Sequence, residues 1–403
     1  MGVLQPPSSP MAFKIRPSAG RSLLLLWLSH LFLDFFTGIW PIYKTIAGID
    51  IAKAGLIAGL AGFCGEILQL FFGYFSDRGF RKVMTLLGLG LSASVLWITF
   101  STDLVVSFFI LLLLMLGSGS FHPAAVGYAS LLSQEKKGRN ILLFTSGGAL
   151  GLAISQLAFT KALTLFGGHA LIFLIPVTLL LLVMAFYPFE EQKSNRVLSL
   201  KEFCQPLMRS KGPLALLYLT QVCNFSMLTA FMFLLPDLMR SKGCDTWLSM
   251  GGGHLCFVIG GAMLMVPAGY LSDRFGPKPV LLTILLSSLL LFYSFLAQSE
   301  MSVVATVIFL LGIGGFMGTV TPVLVAWGNK LVPESPSTVS ALMMGFAWCL
   351  ANLGSTWAGL LAKHITSSEP IVMTLAILGS LLVVGFLLIV FMPGRVRAPL
   401  PTS

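Results

Sequence analysis

Charge is what this sequence has least of. Only 10% of its 403 residues are Asp, Glu, Lys or Arg, against roughly a quarter in a soluble domain. Such a chain cannot clothe a water-facing surface, and its 56% hydrophobic content places it in a bilayer. It also lacks the alternation of apolar and polar residues over about ten positions that marks a membrane barrel. The apolar runs are instead continuous and about 20 residues long, the length a helix needs to cross. Cysteine is sparse: Cys64, Cys204, Cys223, Cys244, Cys256 and Cys349 include no pair with the short spacing of a zinc or redox site. No residue is therefore assigned to a metal. No glycine-rich stretch follows a strand or carries a phosphate-loop lysine, so neither a nucleotide nor another cofactor is expected. A nucleophile–base set is missing too, and an enzyme is not expected.

What is there is a succession of twelve apolar segments. The first six cover roughly 21–44, 52–76, 83–101, 104–132, 141–165 and 169–188. The second six cover roughly 213–236, 247–272, 279–298, 301–328, 338–361 and 370–392. The first is preceded by Lys14, Arg16 and Arg21, but it is too long for a signal peptide, carries His30 and Asp34, and lacks a small-residue cleavage site. The domain plan is a tail over 1–20, a bundle over 21–188, a polar linker over 189–212, a bundle over 213–392 and a tail over 393–403. On this topology 19 of the 25 Lys and Arg fall on the side of the termini and linker. Lys44, Lys53, Lys161, Arg240, Lys242 and Lys363 fall on the other. The net charge of +10 thus reads as the positive-inside bias and not as a nucleic-acid surface. Both termini are expected in the cytoplasm, with the chain in a bacterial inner (plasma) membrane. Segments three, nine and twelve carry no charge and are expected to face lipid.

The two groups of six are copies of one another. Gly73-Tyr74-Phe75-Ser76-Asp77-Arg78-Gly79-Phe80-Arg81-Lys82 is echoed 196 positions later by Gly269-Tyr270-Leu271-Ser272-Asp273-Arg274-Phe275-Gly276-Pro277-Lys278. Leu116-Gly117-Ser118-Gly119-Ser120-Phe121 is echoed 195 positions later by Leu311-Gly312-Ile313-Gly314-Gly315-Phe316. Two matches at nearly one offset mean two homologous halves. In the motif, Gly73 and Gly269 are expected to let a neighbouring helix approach closely. Asp77 and Asp273 are expected to pair with the adjacent arginine, Arg78 or Arg274, or with a helix end across the halves, as a conformational gate that also includes Arg81. Phe80 stands where the second copy has Gly276, leaving Gly79 to make the first turn.

The Gly-x-x-x-Asp-Arg motif closing an apolar helix at a short basic loop resembles the signature of the major facilitator superfamily. Ser29-His30-Leu31-Phe32-Leu33-Asp34 in segment one and Phe121-His122-Pro123 in segment four look like its fosmidomycin-resistance branch, as does Gln69, four residues before Gly73. The resemblance implies an all-α fold of two six-helix bundles related by a pseudo-two-fold axis. Its substrate cavity would lie near mid-membrane, lined by segments one, four, seven and ten.

Asp34 and Glu66 are the carboxylates nearest the middle of a span, where ionisable groups are costly and should face a cavity or a partner. His30 and Asp34, four residues apart, share a helix face. At about 1.5 Å per residue Asp34 lies about 20 Å from Arg21, and His122 and Glu66 reach comparable depth. Burial disfavours a charged carboxylate while a nearby imidazolium favours it, so the group suits proton exchange. Asp34 is taken as the carrier, tuned by His30, with Glu66 in coupling and His122 in coupling or substrate contact. Gln69, Gln156, Asn224, Trp327 and Asn352 are the further cavity candidates, from a wider polar set with Gln221, His254, Asn329 and Trp348. The second half offers no charge at depth. Segment five has Gly147-Gly148-Ala149-Leu150-Gly151 for close packing but Ser155-Gln156 where antiporters of the superfamily often have Gly-Pro. The expected function is secondary active transport by alternating access, as proton-coupled export of a small organic compound by a monomer. The alternatives are a metabolite importer or exchanger, including of anions, and a transport-dead sensor or scaffold.

Overall fold

The computed structural model describes residues 18–132, 137–189, 208, 211–333 and 336–393. Most of the 189–212 linker and the tail residues 1–17 and 394–403, with the basic residues they carry, lie outside that set. Among the described residues the chain is helical with no strand. Ten helices are long and apolar enough to cross a membrane, and Leu171–Phe186 is a shorter apolar one. One of the ten, Ile51–Phe100, counts twice because it doubles back at Gly79. Its first limb packs Gly65 on Met115 and brings Gly73 to Pro123. Its second limb packs Gly88 on Phe121, then Ser92 on Leu114, then Ser94 on Ile110, descending the same neighbour.

The twelve crossings are α1 (Ala19–Ile46), α2 (51–75), α3 (81–100), α4 (Leu104–Leu131), α5 (Lys137–Leu165), α6 (Leu171–Phe186), α7 (Lys211–Ser241), α8 (Leu248–Phe275), α9 (Pro277–Ala297), α10 (Val303–Leu331), α11 (Thr338–His364) and α12 (Pro370–Phe391). Their ends follow from local chemistry. Ser18, Asp50, Asp103 and Ser302 accept hydrogen bonds from the first free backbone N–H groups of α1, α2, α4 and α10. Pro277 and Pro370 open α9 and α12, where a missing N–H costs nothing. Both motif loops turn on a glycine at positive φ, Gly79 at 98° and Gly276 at 88°. A side chain there would be strained, and Gly79 indeed makes the turn that Phe80 cannot.

The apolar core is not uniform along the bundle. At the end where α1 meets α2 and α7 meets α8, one continuous cluster crosses both halves, from Phe35, Trp40, Tyr43 and Ala54 to Phe231, Leu235, Met239 and Ala358. At the motif end it divides. Leu26, Phe121, Tyr128 and Phe144 form a core in the first half, and Leu214, Leu285, Leu324 and Met343 form another in the second. The halves are welded at one end and separate at the other.

Candidate functional site

The joined end is built from small residues and a buried ion pair. On α2, a Cβ at Gly55 would meet the Ser355 carbonyl at 2.4 Å, and one at Gly59 the Thr356 hydroxyl at 2.0 Å, so α2 and α11 touch backbone to backbone. Thr356 Oγ1 seals the contact by donating to Gly55 O at 3.2 Å. Where α1 and α7 end, Lys44 donates to Asp237, Thr45 Oγ1 donates to the same carboxylate at 2.9 Å, and Arg240 Nη1 donates to Thr45 O at 2.8 Å. Lys44 is 1% exposed, and its ammonium sits 4.5 Å from the centre of the Phe233 ring. His254 of α8 bonds through Nε2 to Leu152 O of α5 at 2.9 Å. Lys363 donates to Asp50 at 2.8 Å on the outer rim. That hydrogen bond holds the Asp50 carboxyl below the usual carboxylate range.

Sequence reasoning treated Lys44 and Arg240 as topology markers and did not pair Lys44 with Asp237. The repeat carried the missing signal. Pro41 and Lys44 stand 195 and 196 positions before Pro236 and Arg240, so symmetry-related helix ends meet and their polar groups cross-pair. The motif glycines need the opposite correction. A Cβ on Gly269 would meet nothing within 4 Å, and one on Gly73 only Pro123 at 3.6 Å. They allow no close approach here because they lie where the halves have parted. Asp77 accepts from Arg81 Nη2 at 2.8 Å, Asp273 faces Lys330 Nζ at 3.3 Å, and Arg78 stacks on Tyr74 with 4.4 Å to the ring centre. Arg274 lies over Phe275. Each of these contacts stays within one half.

At mid-depth of the first half the four ionisable candidates are brought together. His30 Nε2 lies 3.2 Å from Asp34 Oδ2, and His122 Nε2 lies 3.6 Å from Asp34 Oδ1. Ser118 Oγ donates to Glu66 Oε1 at 2.7 Å and lies 3.2 Å from His122 Nδ1. A continuous polar chain therefore runs His30–Asp34–His122–Ser118–Glu66 across α1, α4 and α2. Its protonation pattern follows from the partners. His30 Nδ1 faces Phe144 O at 3.0 Å and His122 Nδ1 faces Ser118 O at 3.0 Å. Carbonyl oxygens only accept, so both Nδ1 atoms carry hydrogen. A neutral ring then turns its Nε2 lone pair toward Asp34, which repels an ionised carboxylate. Each His–Asp contact becomes attractive only with a proton, or another cation, between them. Gly148 of α5 is required beside this group: a Cβ there would come within 2.3 Å of Asp34 Oδ2 and 2.5 Å of His30 Nε2. Asp34 and His122 keep 20% and 28% of their side chains exposed, while Glu66 is buried. Sequence reasoning assigned no metal ligands, yet His30, Asp34 and His122 place one donor atom each within 4.8 Å of one another.

The remaining candidates scatter. Gln69 is half-buried, with Oε1 2.8 Å from where a Cβ on Gly345 of α11 would lie. Asn352 packs on Gly62 across the α2–α11 contact and donates to Trp348 O at 3.1 Å. Asn224 donates to Met317 O at 3.2 Å, tying α7 to α10. Trp327 is buried in the second-half core, in the cluster that also holds Leu214, Leu324 and Leu331. Gln156 is 0% exposed, and neither of its amide atoms has a hydrogen-bond partner among the described residues.

Comparison with known proteins agrees with this architecture. The Fosmidomycin resistance protein of Escherichia coli (strain K12) is 27% identical over 85% of this chain and 86% of its own. Multidrug resistance protein MdtG of Escherichia coli O9:H4 (strain HS) is 23% identical over 86% of this chain and 88% of its own. Among solved structures, the nucleoside transporter NupG superposes with a TM-score of 0.78, at 13% identity, over 93% of this chain and all (100%) of its own. An inward-facing, occupied bacterial homolog of the human lysosomal transporter Spinster gives 0.74 at 14% identity, over 94% of this chain and 97% of its own. The family profile matches residues 22–355 and again residues 217–402. These relatives are transporters and not enzymes, and this chain belongs to the Major Facilitator Superfamily.

Proposed function

We propose that this transporter exports a small organic compound in exchange for protons, by alternating access between its two halves. The carrying observation is the Asp34 carboxylate held between two imidazoles whose Nδ1 hydrogens are already committed to carbonyls. In that setting a proton is the natural occupant of either His–Asp contact, and its departure changes the attraction between α1 and α4. Ser118 and Glu66 extend the chain inward, giving the proton a second acceptor. Asp34 is the carrier in this reading, His30 and His122 hold and tune it, and Glu66 couples it. Partial exposure of Asp34 and His122 supports a site reached from the space between the halves. The excess of basic residues at the motif end supports cytoplasmic termini in an inner membrane, which makes this state open to the cytoplasm. Opening the other side requires breaking the Lys44–Asp237 contact. One chain supplies both halves, in keeping with a working monomer.

Export of drugs is favoured by two relatives that are named for fosmidomycin resistance and multidrug resistance. The test is growth inhibition of an efflux-deficient bacterium expressing the protein, across a compound panel that includes fosmidomycin. Resistance to at least one compound, lost in Asp34→Asn at equal expression, is the expected result. Sensitisation to a compound would instead select the importer reading, and no effect across the panel would remove drug export.

A further inference from the structure

The donor set around Asp34 has a geometry that a proton does not require. Two imidazoles from different helices point Nε2 at the two oxygens of one carboxylate, with separations of 3.2 and 3.6 Å. Around a tetrahedral cation with bonds of about 2.0–2.1 Å, neighbouring ligand atoms sit about 3.3 Å apart. Each separation is close to that edge length, one to each oxygen of the carboxylate, and one donor atom from each residue lies within 4.8 Å of the others, a spread that small side-chain rotations would close onto a cation. The outer shell is in place as well. Metal-bound histidines donate their other ring N–H to a carbonyl or carboxylate, which fixes the tautomer. Here Phe144 O and Ser118 O do that for His30 and His122. The histidines are thereby fixed with their Nε2 lone pairs turned toward the one carboxylate. Gly148 leaves it uncovered, since a methyl would lie 2.3 Å from Asp34 Oδ2 and 2.5 Å from His30 Nε2.

We propose that His30, Asp34 and His122 bind a borderline divalent transition cation of the Zn²⁺ and Co²⁺ class, cross-linking α1 to α4. Two nitrogens and one oxygen suit such ions, whereas Mg²⁺ and Ca²⁺ ask for six or more oxygens. A fourth position remains for water or a group of a bound solute, the arrangement of an open site. The cation would use the donor atoms assigned above to the proton relay. Its binding nevertheless stands apart from that reading, because equilibrium binding to solubilised protein needs neither flux nor a known substrate.

The test is Co²⁺ titration of the purified full-length protein in detergent, read by visible absorption and by calorimetry. One Co²⁺ per chain with intense tetrahedral bands is expected. Asp34→Asn, His30→Ala and His122→Ala should each weaken binding by at least about 100-fold, the upper end of what even outer-shell losses cost. His169→Ala, which alters a histidine stacked on Phe100 away from the cluster, should leave it unchanged. Each variant is first checked by gel filtration. Where an alanine variant aggregates, His→Gln at the same position replaces it, with the same loss expected. Absence of Co²⁺ binding to the wild-type protein would overturn the proposal. Binding that survives in both His30→Ala and His122→Ala would do so too.

Discussion

Asp237→Ala should throw open the end of the bundle that is closed in this structure. Lys44 would keep its buried position but lose its carboxylate, retaining only Thr45 Oγ1 at 3.0 Å and the face of Phe233. Removing one partner of a buried pair costs about 3–5 kcal/mol, because a desolvated charge is left uncompensated. That cost falls on the closed conformation alone, since water can reach Lys44 once the halves part there. The closed-to-open ratio should therefore drop by about 10²–10⁴. A cysteine at Ala54, fully buried here, reports it through reaction with an impermeant thiol reagent in a background without native cysteines. Labelling should be slow in the parent and fast with Asp237→Ala. Replacing the pair together, as Lys44→Met with Asp237→Leu, should restore slow labelling, because matched apolar residues often do as well as a buried ion pair. Asp50→Ala should change labelling little, since its pair with Lys363 is largely exposed and worth about 0–1 kcal/mol, and the cap bonds it gives α2 are lost from closed and open states alike. The hydrogen bond from Lys363 lowers the Asp50 carboxyl, so this rim contact persists at neutral pH. It is lost only as pH falls through that depressed value.

Gly151→Ala should have a different and more damaging outcome. The added Cβ would lie 1.9 Å from the Leu31 carbonyl oxygen, a backbone atom with nowhere to go. The clash falls between α1 and α5, two helices of the same half, so no rocking of the halves relieves it. The change should cost several kcal/mol, in the range reserved for overpacking of a fixed core. Loss of monodisperse protein on gel filtration, or a fall in melting temperature of ten degrees or more, is the expected measurement. Gly55→Ala makes the instructive contrast. Its Cβ would lie 2.4 Å from the Ser355 carbonyl, yet that contact joins the two halves, which the proposed alternating access would separate. It should leave the protein folded and speed labelling at the closed end. Equal loss of folded protein in both variants would contradict the distinction between fixed and separable interfaces.

That distinction marks where the sequence was informative. Run length and the Gly73/Gly269 repeat gave twelve crossings and two halves, because helix period and span length are local properties of the chain. The four-residue spacing of His30 and Asp34 gave one edge of the polar cluster for the same reason. His122, Ser118 and Glu66 join it through the packing of α4 against α1 and α2, which no spacing encodes. Their common depth suggested proximity, but the committed Nδ1 atoms and the close approach of Gly148 arise only from how α1, α4 and α5 pack. Lys44 and Asp237 were missed because each looks like an ordinary helix end. Only the two-fold relation of α1 to α7 shows that such ends must meet. The motif glycines were misread because small residues allow close approach without requiring it. Which end of the bundle is closed depends on the conformation, and composition is silent on that.

The central claim is that the group around Asp34 carries the coupled proton. Its most direct test uses proteoliposomes loaded with a pH-sensitive dye and a compound identified by the growth panel. With wild-type protein, a gradient of that compound should drive proton movement. Asp34→Asn should reduce that movement at least tenfold while still binding the compound. Wild-type proton movement in Asp34→Asn, with loss in Glu66→Gln, would contradict the assignment and move the carrier to Glu66.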